Sequence, residues 1–131
     1  LAEAYAALIG NYTAALAQSF LADNFTDTSD SINALAGFPL GSVTFSSKQA
    51  FMDSQASQPG IPLVVTATSA VGCDTLVLRW TQTFGADNLP VAGISVLSFV
   101  CEEEEEDGGQ WRLKTLETEF NSLVYYRDMG G

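Results

Sequence analysis

Residues 73–101 read CDTLVLRWTQTFGADNLPVAGISVLSFVC, two runs rich in Val, Leu, Thr and Phe on either side of the segment Gly85-Ala86-Asp87-Asn88-Leu89. Branched and aromatic side chains suit a pleated surface, and Gly, Asp and Asn suit a turn. The stretch therefore predicts antiparallel strands near 73–84 and 90–101. The loop is centred on residue 87, which is also midway between Cys73 and Cys101. A regular hairpin about that centre puts the two cysteines opposite each other on one face, within disulfide reach, so a Cys73–Cys101 bridge is expected in preference to two free thiols. The same register puts Leu76, Leu78, Trp80 and Phe84 with Val96, Ile94 and Ala92 on the face that meets the helices. Val77, Leu97, Phe99 and Val91 then share the other face with Thr75, Arg79 and Thr81. An apolar patch of that kind predicts a homodimer.

Outward from the hairpin, further strands are expected near 61–69 and 110–126. Toward the N-terminus the pattern changes period. Leu1, Tyr5, Leu8, Tyr12, Leu16 and Phe20 recur at spacings of three and four, which predicts one amphipathic helix over residues 1–20. Residues 21–45, dense in Asp, Ser, Thr, Gly and Pro, read as irregular chain with a helical turn and a short strand. Ser46 and Gln49 have capping-box spacing ahead of a short helix carrying Phe51 and Met52, which Gln58-Pro59-Gly60 ends. Helices first and a strand meander afterwards indicate an α+β domain spanning 1–131, without internal repeat or linker.

Composition narrows the function classes. With 47% apolar residues, two Trp and eight Phe, the chain can build a core. A net charge of −11, against the cations Lys48, Lys114, Arg79, Arg112 and Arg127, repels phosphates and anionic lipid, which excludes nucleic acid and membrane surfaces as principal partners. No apolar stretch reaches the roughly 20 residues that a spanning helix needs. The first residue is Leu rather than Met, which suits removal of a signal peptide and equally suits a trimmed chain. The sequons at Asn11 and Asn24, with the even cysteine count, predict a secreted glycoprotein.

Three segments carry a resemblance: Leu21 to Asn33 (LADNFTDTSDSIN), Phe45 to Phe51 (FSSKQAF), and Trp111-Arg112-Leu113-Lys114 leading to Glu119-Phe120-Asn121-Ser122. Through them nearly the whole chain resembles small fungal secreted members of the nuclear transport factor 2-like superfamily, with its SnoaL-like branch. The resemblance implies a cone-shaped fold in which a curved antiparallel sheet holds the N-terminal helices on its concave face. It also implies a cavity open at one end and frequent dimerisation through the sheet. The superfamily spans steroid isomerases, polyketide cyclases, dehydratases and non-catalytic transport factors, so the resemblance implies no single reaction.

The chain has no histidine, which removes Ser-His and Cys-His pairs, the usual zinc ligands and the commonest general base. No metal or cofactor is expected. Acid–base work falls to Asp, Glu or Tyr, with pKa values moved by desolvation. Asp27 and Asp30 follow the opening helix, where the resemblance places polar cavity residues; the competing reading is a solvated loop of caps and Asx-turns. On the last strand Glu117, Glu119 and Asn121 alternate with Leu116, Phe120 and Val124. One register puts Glu119 and Asn121 inward beside Trp80, the other puts them in solvent. Tyr5 and Tyr12 lie on the buried stripe of the first helix, as ligand donors or as core. The run Glu102 to Asp107 reads as an exposed hairpin tip, and Gly108-Gly109 does not form a phosphate cradle. The expected function is binding of a hydrophobic or aromatic metabolite in an apolar cavity. The alternatives are an isomerase, cyclase or dehydratase acting on a polyketide or terpenoid through Asp30, Glu119 or a Tyr, and a non-catalytic secreted interaction protein.

Overall fold

The hairpin forms, but one residue away from the expected register. In the computed structural model, which describes residues 1–102 and 110–131, Trp80 pairs with Gly93, Leu78 with Ser95 and Leu76 with Leu97. The elements in order are α1 (Ala2–Gly10), α2 (Ala14–Phe20), β1 (Leu21–Thr28), α3 (Asp30–Ala36), α4 (Lys48–Ala56), β2 (Val64–Val71), β3 (Thr75–Gln82), β4 (Val91–Glu102), β5 (Gln110–Phe120) and α5 (Ser122–Asp128). Gly85 (φ 78°) and Asn88 (φ 50°) take left-handed conformations that only such residues adopt readily, and they set a turn centred between residues 86 and 87.

Because side chains alternate faces along a strand, a one-residue slip turns β4 over. Leu97 and Phe99 are buried in the core at 0% and 6% exposure, and Val91 joins them. Ile94, Ala92 and Val96 instead share the outer face with Val77, Arg79 and Thr81. The expected face assignment of β4 is thus reversed, and Leu97 and Phe99 leave the outer patch on which the dimer expectation stood. The cysteine expectation is also corrected. The β3–β4 ladder starts at Thr75 and Ser98, so Cys73 lies before it, while Cys101 pairs with Trp111 of β5; both thiols are free and exposed.

Five other expectations change. The stripe over 1–20 breaks at Asn11-Tyr12-Thr13, because Thr13 accepts a hydrogen bond on its side chain from the Leu16 N–H (3.2 Å) and so caps a separate α2. At α4 the cap is Ser47 rather than Ser46, its Oγ accepting from the Ala50 N–H at 3.1 Å. Residues 21–28 form a full strand that runs parallel to β5. The sheet is therefore mixed, ordered β1-β5-β4-β3-β2, rather than wholly antiparallel. Expected as strand to residue 126, the last segment leaves the sheet at Phe120, where Asn121 caps α5.

The core fills the space between the inner face of this curved sheet and the helices, with Leu8, Phe25, Phe51, Leu78 and Leu113 at its centre. Both sequon asparagines, Asn11 and Asn24, are exposed. No helix among the described residues is long and apolar enough to cross a membrane. The acidic run from Glu103 to Asp107, with Gly108-Gly109, lies outside the described residues.

Candidate functional site

A cavity of about 460 Å³ lies between the inner sheet face and helices α1, α3, α4 and α5. The strands supply its floor. On β3 Trp80 faces inward, and on β5 the inward residues past the irregularity near Lys114 are Leu116, Thr118 and Phe120. Gly93 sits opposite Trp80, where a Cβ would come within 2.2 Å of the indole Cζ2 and force the ring to move. Ile32 and Leu35 from α3, with Phe51 from α4, form the wall, and the exposed Gln58 and Met129 mark an opening.

Besides Ser54, Gln55, Gln58 and Gln82 on its lining, polar groups enter this apolar space at two places. The first is a buried network centred on Ser95 of β4. The Trp80 Nε1–H donates to Ser95 Oγ at 2.9 Å, and that oxygen also bonds the Tyr5 hydroxyl at 2.7 Å and Thr118 Oγ1 at 3.1 Å. Burial pushes the Tyr5 phenol up to about 12, against its hydrogen bonds to Ser95 and Thr118, with the charge of Asp27 adding to the rise. Tyr125 of α5 is raised by burial alone.

The second is Asp27. Strand β1 alternates Phe25 and Asp27 inward, and the peptide of Asp27 is pinned by reciprocal bonds with Phe45, 3.0 Å in each direction. Its side chain is 2% exposed and lines the cavity, and its Oδ1 has no hydrogen-bond partner. Desolvation alone raises its carboxyl to about 7. The group can therefore hold or release a proton near neutrality, as an acid–base residue must.

The other sequence candidates scatter. Asp30 opens α3 on the surface, where its Oδ1 accepts from the Gly41 N–H (2.8 Å) and Asn33 Nδ2 (3.1 Å), and these bonds lower its pKa. Glu119 does not point inward. It pairs with Ile94 on the outer face and accepts from the Asp30 N–H (2.9 Å) and the Ser31 hydroxyl (2.5 Å), holding the start of α3. Asn121 spends its side chain on the Val124 N–H at 3.1 Å. The inward register for Glu119 and Asn121 is thus corrected, because the apolar set of β5 covers the core. Tyr12 is half-buried and its hydroxyl donates to the Met52 carbonyl at 3.4 Å, away from the cavity. Of the sequence candidates, Tyr5, Trp80 and Asp27 meet at one cavity. Ser95 and Thr118 were missed; alternation with Leu116 and Phe120 was the one signal for Thr118.

A family model for the NTF2-like domain matches residues 1–131. The chain belongs to the NTF2-like domain family. No curated protein matches this NTF2-like chain. Among solved structures, an NTF2-like protein of unknown function from Burkholderia pseudomallei is similar, with 16% identity, TM-score 0.65, and coverage of 99% of this chain and 94% of that one. IdmH, a candidate polyketide cyclase from Streptomyces antibioticus, has 12% identity and TM-score 0.64, covering 99% and 98%. A ketosteroid isomerase-like fold from Catenulispora acidiphila, solved with trimethylamine, has 13% identity and TM-score 0.58, covering 89% and 82%. At these identities the likeness establishes a shared fold.

Proposed function

We propose that this NTF2-like chain binds a small hydrophobic or aromatic molecule in the cavity between sheet and helices, with Asp27 holding a polar group of the ligand. One observation carries the reading: an aliphatic and aromatic cavity of about 460 Å³ whose wall includes a carboxyl that is 2% exposed and lacks a partner on Oδ1. A pocket that is mostly apolar with a few convergent polar groups is the usual form of a small-molecule site. A buried polar atom without a partner is costly, so a ligand that satisfies it recovers that cost on binding. The small molecule held by the Catenulispora acidiphila protein is in keeping with this use of the fold.

A second reading is favoured by the Asp27 carboxyl at about 7. Acid–base catalysis works best near the operating pH, so an isomerase, cyclase or dehydratase of this fold would use Asp27 in place of Asp30 or Glu119. The candidate cyclase among the fold relatives supports that class of chemistry.

The test is a fluorescence titration with N-phenyl-1-naphthylamine, an apolar neutral dye. Saturable one-to-one binding is expected in the native chain, and it disappears in Leu35→Trp, which fills the cavity while circular dichroism stays native. Equal binding in the filled variant, or none in the native chain, overturns the reading.

A further inference from the structure

We infer that the ligand of this cavity is a cation, an apolar molecule carrying one protonated amine, seated with its ammonium against Asp27 and its carbon skeleton against the aromatic walls. The inference rests on the cavity-binding reading and adds the charge of the ligand.

The chain has five cationic side chains, and none lines the cavity. Lys48 is committed to the carbonyls of Gln18 and Leu21 at 3.0 Å each, and Arg112 to those of Gln18 and Ser19. Arg79, Lys114 and Arg127 are exposed. A buried carboxylate is stable when paired, and here the protein supplies no cation to pair with it. The other polar groups on the floor do not compete for a ligand in the same way, because Tyr5, Ser95, Thr118 and the Trp80 N–H bond one another. Asp128 Oδ2 is likewise buried without a partner but is not part of the cavity lining, so among the described residues that line the cavity Asp27 is the carboxyl in need of one.

Two further features select a cation over a neutral hydroxyl or an anion. Phe45, Phe51, Trp80, Phe120 and Tyr125 share the lining, and aromatic faces attract ammonium groups. A net charge of −11 raises the local concentration of cations and repels anions. The titratable groups that face Asp27 across the cavity are the Tyr5 phenol from α1 and the Tyr125 phenol from α5, both raised. The lining residues of α3, α4, β3 and β5 include no charged or titratable side chain. Ligand affinity therefore follows Asp27. Below its folded pKa of about 7 an ammonium must displace a proton, so affinity rises with pH and levels off above that value.

The experiment compares phenethylamine with its neutral analogue 2-phenylethanol in physiological salt, read by Trp80 emission in a Trp111→Phe background, which leaves one tryptophan. At pH 8 the amine is expected to bind about tenfold or more tightly than the alcohol, the range of a charge-assisted bond. Between pH 5 and pH 8 amine affinity should rise by about two orders of magnitude while alcohol affinity stays level. In Asp27→Asn both the preference and the pH dependence should vanish. If the alcohol binds as well as the amine, the cationic ligand is overturned and the cavity-binding reading stands. If the amine binds the native chain with no pH dependence, or binds Asp27→Asn unchanged, its site is elsewhere and the inference falls. If neither compound binds, the inference falls together with the cavity-binding reading. Should Asp27→Asn fail to fold, the pH profile of the native carboxyl decides alone.

Discussion

Asp27 and Asp30 are three residues apart at one strand-to-helix junction, yet the fold drives their carboxyls in opposite directions. Asp27 ends the inward alternation of β1 and faces an apolar cavity, where burial raises it to about 7. Asp30 begins α3 in solvent, where the Gly41 N–H and then the Asn33 amide stabilise its charge and lower it. Glu119 extends the outer region, bonding the Asp30 N–H and the Ser31 hydroxyl. One region meets its hydrogen-bonding needs within the chain, and the other leaves a need that a ligand can meet. Identical chemistry thus becomes a structural brace at one site and a buried, unpartnered acid at the other, through environment alone.

The largest expected effect lies on the buried side. Asp27 is raised in the folded state, so it holds a proton that the unfolded chain releases near 3.8, and stability falls as pH climbs from about 4 to about 7. The full shift corresponds to at most about 4 kcal/mol, less any relief from water reaching the cavity. Urea denaturation of native chain and Asp27→Asn at pH 4.5 and pH 8 should show the variant gaining on the native chain at the higher pH. Parallel behaviour at both pH values would mean that Asp27 ionises as freely as an exposed carboxyl.

A smaller loss is expected at the hub of the internal network. Ser95→Ala leaves the Trp80 N–H and the Tyr5 hydroxyl without their shared partner at 0% exposure, which should cost about 2 kcal/mol in urea with an unchanged slope. An effect near zero would show that Thr118 or water takes over both bonds.

The smallest effect is expected in the outer region. Asp30 is lowered, so its contribution is present above the ordinary carboxylate pKa and is lost as pH falls through its folded value. Asp30→Ala should lower Tm slightly at pH 7, by no more than a few degrees, and not at all in strong acid. Thermal melts that place Asp30 above Asp27 in effect at pH 7 would invert the contrast between the two regions.

Much of the fold was readable beforehand because it depends on local pattern. The Val, Leu, Thr and Phe runs around Gly85 to Leu89 announce the hairpin, and the serines ahead of Phe51 announce α4 to within a residue, whereas the caps at Thr13, Ser29 and Asn121 went unread. The candidate site was less readable. Tyr5 and Trp80 stood out as aromatics on core-facing stripes, but Asp27 and Asp30 were indistinguishable in a segment whose composition looked irregular. The faces of Glu119 and Asn121 stayed open because alternation divides a strand into two sets without saying which one meets the core.

Period, turn chemistry and apolar content, all local properties, were sufficient to establish an α+β chain with helices ahead of a strand meander. Faces and partners were not local. A half-residue change in the centre of the β3–β4 turn moved Leu97 and Phe99 into the core and separated Cys73 from Cys101. The parallel pairing of β1 with β5 joined segments about ninety residues apart, and together with the β4–β5 register it decided that Asp27 lies inside while Glu119 braces the outside. Side-chain burial depends on which strands pair and in what register, and those choices are made by long-range packing, in which a one-residue slip inverts every face.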